Sequence, residues 1–255
     1  MTLPVTETAA APAASPAPAR PAPLASRIVD TFFSPGKVFE QFRDGPAPWL
    51  GPVLVCAAVL VALVLLRPLF ISDAQMVEFT LEKYREMGVQ QIPTPEQMAT
   101  QLTFQTVATI VSAVVWVFLR VWLVGLILFG LYALLMGGRN DIRPYAAVAS
   151  HAFLVSTLGF AVLAVLQYAT GRLDLTLDAA LLVPGLDPKG VAAGVLHAIT
   201  PWGVWLVALL ALGAATVNRR RNWIGTAALL FSLQLALALA FSLLMHAAGS
   251  GAAAG

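Results

Sequence analysis

The sequence predicts an all-α integral membrane protein: a bundle of five transmembrane helices, with short interfacial helices and a disordered N-terminal tail. Three observations predict it. The 255-residue chain is 59% hydrophobic and 11% charged, where a soluble domain carries about 25% charged residues. Apolar stretches long enough to cross lipid recur five times. Backbone groups in lipid need partners within their own segment, so such stretches are helices. Basic residues also gather on alternate connections between them.

Residues 1–26 are Pro/Ala-rich, cannot bury a core and read as a partly extended tail, either a solvated tether or a partner-binding segment. They contain no apolar core of signal-peptide length. Residues 27–48 form an amphipathic segment within "SRIVDTFFSPGKVFEQFRDGP". Ser34 is the expected N-cap and Pro35 the first helical residue. Val38, Phe39 and Phe42 share one face, while Lys37, Glu40 and Arg43 point elsewhere. That face can lie on the membrane surface or against the protein's own bundle, and the two placements are compatible.

The transmembrane domain covers 49–246, with spans near 49–66, 117–136, 145–170, 201–217 and 223–246, followed by a flexible tail at 247–255. Arg67-Pro68 ends the first span, "GGRND" the second and Gly171-Arg172 the third. "VAAGVLHAI" precedes the fourth as an extra short helix. The connection "GRLDLTLDAALLVPGLDPKG" is too short to cross and belongs at the interface. In the loop 72–105, Ser72 and Gln75 match a capping box, and Met76, Val77, Leu81 and Tyr84 share a helical face that ends at Gly88. A second box in "TPEQ" (Thr94 as cap, Pro95 first, Gln97 reaching back) starts the next helix near Pro95. Gly125, Gly130, Gly159 and Gly213 allow close helix approach.

One side of the bundle receives nine basic residues: Arg20, Arg27, Lys37, Arg43, Arg139, Arg143, Arg219, Arg220 and Arg221. The other receives five basic residues and eight of the acids. The positive-inside rule then predicts a cytoplasmic N-terminus and an external C-terminus. Trp49 and Trp223 would mark the inner interface, Trp202 and Trp205 the outer.

Arg120 is the one charge within the apolar run 106–136. Those 31 residues measure about 46 Å as helix, against about 30 Å of hydrocarbon. Counting back about 20 residues from Gly137-Gly138-Arg139 puts the outer boundary near Val117 and Arg120 a turn inside it, with its guanidinium snorkelling to headgroups or water. A deeper position would make it a functional-site candidate.

Catalytic patterns are missing. The sequence has no HExxH, GxSxG or phosphate-cradling GxxxxGK[ST], and no acid inside any span. Ser150 and His151 are neighbours, about 100° apart on a helix, and do not form a nucleophile–base pair. His151 reads as a packing or interfacial residue. His197 and His246 lack ligand spacing, and Cys56 reads as a buried, inert thiol. No catalytic residue, cofactor or metal is expected, and a net charge of +2 does not suggest nucleic acid.

Several stretches resemble a known family: "FFSPGKVFEQF" followed by "PAPWLGPVL", then "GGRNDIRPYAAVASHAFLVSTLG" and "WLVALLALGAATVNRRRNWIGTAALLFSL". They are similar to bacterial members of the Yip domain family, relatives of eukaryotic proteins that interact with Ypt/Rab GTPases. The resemblance covers about 26–246 and implies a five-helix domain with a cytoplasmic N-terminus, in the cytoplasmic membrane of a bacterium. In eukaryotes it implies vesicle traffic and membrane shaping. The eukaryotic "DLYGP"-type motif and the aromatic–proline ending of the third helix are absent here, so the resemblance does not extend to Rab binding.

The expected function is therefore non-catalytic. The protein would organise membrane lipids, other membrane proteins or further copies of itself through "SPGKVFEQFR" and the Arg219-Arg220-Arg221 turn. The alternative is a small-solute transporter or channel component with a path lined by Arg120, His151, Gln167 or Gln234.

Overall fold

A computed structural model describes residues 21–86, 93–188, 190–220 and 222–252. The tail before residue 21, the expected helix end at Gly88, and Arg221 lie outside the described residues. The described chain is helical: α1 (Leu24–Phe33), α2 (Pro35–Asp44), α3 (Leu50–Leu66), α4 (Asp73–Glu86), α5 (Pro95–Phe129), α6 (Arg143–Thr170), α7 (Val191–His197), α8 (Pro201–Val217) and α9 (Ile224–Ala252). Helices α3, α5, α6 and α9 are long and apolar enough to cross a membrane. Helices α7 and α8, bent by 59° at their junction, pass the same measure together as a fifth, broken span. The protein is thus an all-α membrane bundle. Helix α9 continues past His246 to Ala252.

Local chemistry sets most helix ends. Thr94 and Gln97 form the reciprocal capping box at the start of α5, with Pro95 at its first position. Ser72 and Gln75 cap α4 in the same way, at 2.9 Å and 3.2 Å. Gly171 ends α6 in the left-handed conformation, φ 66°. The Ser34 expectation needs correction: Pro35 opens α2, but the Ser34 side chain makes no cap bond. The donor that a capping side chain would take, the Lys37 N–H, instead bonds the Ser34 backbone carbonyl at 3.0 Å, while Ser34, the single residue between α1 and α2, has its own N–H on Asp30 O at 2.7 Å.

Helix α6 is the centre of the core, packed by α3, α5 and α8, and its first half is almost wholly buried. Two glycines make this possible. A Cβ on Gly125 would stand 3.1 Å from the Ala146 backbone, and one on Gly213 only 2.5 Å from Val148 and 3.2 Å from Phe39. Val38, Phe39 and Phe42 are fully buried in this core, so the apolar face of α2 packs on the bundle. Helix α1 is turned the other way: Arg27 and Thr31 face inward, while Val29 and Phe33 are exposed. At the opposite end of the molecule, Val77 and Leu81 of α4 bury Met98 of α5, with Met76 and Tyr84 against them. The tryptophans expected as interfacial belts also pack within the fold, Trp49 on Trp122 at 5.1 Å and Trp205 on Phe32 at 5.8 Å.

Candidate functional site: two arginines and a basic platform

Arg27 is 5% exposed and its guanidinium is enclosed by acceptors. Nε donates to Ala22 O at 3.0 Å, and one terminal nitrogen donates to Pro48 O at 3.2 Å. The same nitrogen stands 3.3 Å from His151 Nε2. Arginine can only donate, so His151 Nε2 accepts and Nδ1 carries the ring proton, which it donates to Ala147 O at 2.7 Å. Phe42 covers the imidazole, with ring centroids 4.9 Å apart. Burial pulls the Arg27 guanidinium below its usual pKa. His151 is thus a packing residue with one partner from across the chain: it fastens α1 to α6. Arg27, counted in the sequence only towards charge balance, is the residue that reading missed. A signal was present: Arg27 and Thr31, four residues apart, lie beside Ser26 and Asp30 on the polar side of a helix whose other side carries Ile28, Val29, Phe32 and Phe33.

Arg120 has a different setting. Its guanidinium carbon lies 4.9 Å from the centre of the Phe153 ring, a cation–π contact. Among the described residues no carboxylate reaches it, and it lines a cleft together with Cys56, Ser156, Thr157 and Phe160. The cleft measures about 20 Å³, room for about one water molecule. Cys56 and Phe153 lie 11 and 15 residues short of Arg67 and Tyr168 at the opposite end, which places Arg120 at least about 16 Å along the bundle from that end. The cause is the register of α5. Trp49, just before α3, already meets Phe118 and Trp122. The surplus length of α5 therefore runs past the start of α3 at the basic end.

That basic end is one connected surface. Asn218 Oδ1 accepts from Arg139 N and from the Tyr145 hydroxyl, both at 3.0 Å, while its Nδ2 donates to Ala214 O. Arg139 donates to Arg43 O, and Arg220 to Met136 O. Arg219 pairs with Asp44 at 2.7 Å, joining α2 to the α8–α9 turn. Hydrogen bonds from Arg43 and then Arg219 hold the Asp44 carboxyl below the usual carboxylate range. Arg219 has φ +56°, a left-handed position. Its N–H bonds Thr216 O, and Arg220 N bonds Ala215 O, a helix ending that normally takes glycine.

The remaining expected residues do not converge. Gln167 donates to Leu173 O and Leu175 O, Gln234 donates to Ala198 O, and His197 pairs with Asp178. Arg120, His151, Gln167 and Gln234 therefore do not line one path. Among the described residues no three potential ligands gather to hold a metal ion.

Fold and site together define a helical membrane protein of several spans, with a basic hydrogen-bonded platform at one end. Residues 29–245 match the family described as Yip1 domain, and the chain belongs to that family. It is also similar to the membrane protein YknW of Bacillus subtilis, 25% identical over 222 residues, which span 85% of this chain and 90% of the relative. No solved structure matches.

Proposed function

We propose that this protein works by binding rather than catalysis, organising lipid or protein partners in a bacterial cytoplasmic membrane through its basic end, which faces the cytoplasm. The observation that carries this reading is Arg219. A left-handed residue with a side chain is disfavoured by about 1–2 kcal/mol, and glycine would serve the turn better. An arginine kept there at such a cost points to work for the charge itself. Its neighbours Arg220, Arg143 and Lys37 keep the surface basic in balance, although Asp44 pairs with Arg219 and Asp141 lies beside Arg143. Each such residue near anionic headgroups contributes about 1 kcal/mol of attraction.

Photocrosslinkers at 141 and 222, exposed positions beside the arginines, compared in native membranes with one at the exposed position 174 of the other end, test the reading. A defined membrane protein or an anionic lipid captured from the basic end, and lost in Arg220→Gln, is the expected result. Equal capture from both ends contradicts it. Labelling of single cysteines at 37 and 174 checks the sidedness, with only the second, an exposed position, expected to react from outside the cell.

A further inference from the structure

The end opposite the platform holds a larger cavity, of about 180 Å³, between α3, α4, α5 and α6. This is many times the roughly 10–15 Å³ one water needs. Its polar wall is Arg67, Thr80, Gln105, Thr106, Thr109 and Tyr168, and Val64 and Met76 supply an apolar floor. Arg67 follows directly on the last residue of α3, so its guanidinium stands at the limit of that helix's apolar stretch. Its side chain is 14% exposed, and a single nitrogen contacts Asp73 at 3.1 Å. Asp73 itself is 69% exposed. Arginine offers five donors in a planar fork that suits phosphate oxygens, and this pair uses one edge of it. Tyr168 is held in place by its bond to Leu63 O at 3.0 Å and by stacking on Phe70. On the same helix end, next in sequence to the lining residues Val64 and Arg67, Leu65, Leu66 and Leu69 are exposed apolar surface.

We propose that this cavity binds the phosphate of a membrane lipid headgroup, with Arg67 as the anion-binding residue and the acyl chains lying against Leu65, Leu66 and Leu69. Gln105 and Thr109 on the α5 wall would complete the phosphate's hydrogen bonds, since the Thr80 hydroxyl is already donated to Met76 O and that of Tyr168 to Leu63 O. The apolar flank favours a lipid over a free phosphate, because the same site offers surface to both parts of an amphiphile. The assignment is independent of what the basic end binds.

The test uses the full chain in neutral detergent, with native mass spectrometry as the readout. Short-chain phosphatidylglycerol, inorganic phosphate and a diacylglycerol of equal chain length are added separately and in competition. One phosphatidylglycerol retained per chain is expected, with diacylglycerol held far more weakly. Arg67→Gln should weaken retention about tenfold, as loss of a charge-assisted bond does. Asp73→Asn, which frees the fork, should strengthen it. Arg120→Gln should leave it unchanged. Displacement of the lipid by millimolar inorganic phosphate would overturn the lipid source and leave a solute phosphate site. Retention unaffected by both Arg67→Gln and Asp73→Asn, or diacylglycerol binding equal to phosphatidylglycerol, would overturn the proposal outright.

Discussion

Two arginines sit inside this bundle in opposite circumstances. Arg27 is surrounded by acceptors drawn from three parts of the chain, Ala22, Pro48 and His151. Arg120 has a phenyl face and a cleft with room for water. The half around Arg27 is closed and tightly packed, with Phe42 over His151 and Val148 pressed on Gly213. The seam around Arg120 keeps a cavity among Cys56, Ser156 and Thr157. The lesson is that a charge in an apolar run does not declare its role by position alone. Where the fold spends the guanidinium's donors, the residue is a fastener. Where the residue lines a cleft with no carboxylate beside it among the described residues, the charge is available to water or to an anion.

That contrast can be broken in several ways. The closed half should not accept added volume. Gly213→Leu would drive a side chain into Val148 and Phe39 and cost about 3 kcal/mol or more. Ser156→Val, which fills part of the seam's cleft, should cost less than about 1 kcal/mol. Comparing the two by denaturation in mixed micelles, equal losses would erase the distinction. Next in size is His151→Leu, which strands one arm of a buried guanidinium and should cost about 1–3 kcal/mol. Combined with Arg27→Met, the loss should fall short of the sum, since one contact cannot be lost twice. Strict additivity in the cycle would mean that the two residues do not act together.

Smaller effects belong to the platform. Arg219→Gly relieves a left-handed side chain and should raise stability by about 1 kcal/mol, while abolishing capture from position 219's neighbours. A drop in thermal stability would instead make Arg219 a purely structural residue. The smallest effect is that of Asp44. Its carboxyl is held below the ordinary range, chiefly by Arg43 and then Arg219. Its contribution is therefore complete above the unfolded-state value and disappears as pH falls through the lower folded value. Asp44→Asn should abolish that acid-side slope and little else, and added salt should mimic it at neutral pH. The pair is exposed, so a large effect at neutral pH would show that it anchors α2 in a way the geometry does not indicate.

Much of the architecture could be read from the sequence because its signals are local. Apolar length identifies the spans. The Ser72–Gln75 and Thr94–Gln97 boxes and Gly171 act within a turn of themselves. The face of α4 was also legible, since Val77 and Leu81 are four residues apart and have one partner surface. Register between helices was not. The place of Arg120 along the bundle depends on Trp49 meeting Trp122 and on how far α5 overruns α3, and both are set by packing between distant segments. The Arg27–His151 contact joins residues 124 apart, and neither residue alone differs from a surface charge or a lone polar group in a helix. Ser34 makes no side-chain cap because the chain turns from one helix directly into another there, and the Lys37 N–H is taken by the Ser34 backbone carbonyl rather than by its hydroxyl.

The most direct test sets the two arginines side by side. Arg27→Met and Arg120→Met, both of similar length and both apolar, are compared by the midpoint of unfolding in the same micelles. The account predicts that Arg27→Met lowers stability by about 2–4 kcal/mol, through lost bonds and a stranded His151 acceptor, while Arg120→Met leaves it within about 1 kcal/mol or raises it. Equal losses, or a greater loss at Arg120, would show that the fold relies on Arg120 as it does on Arg27.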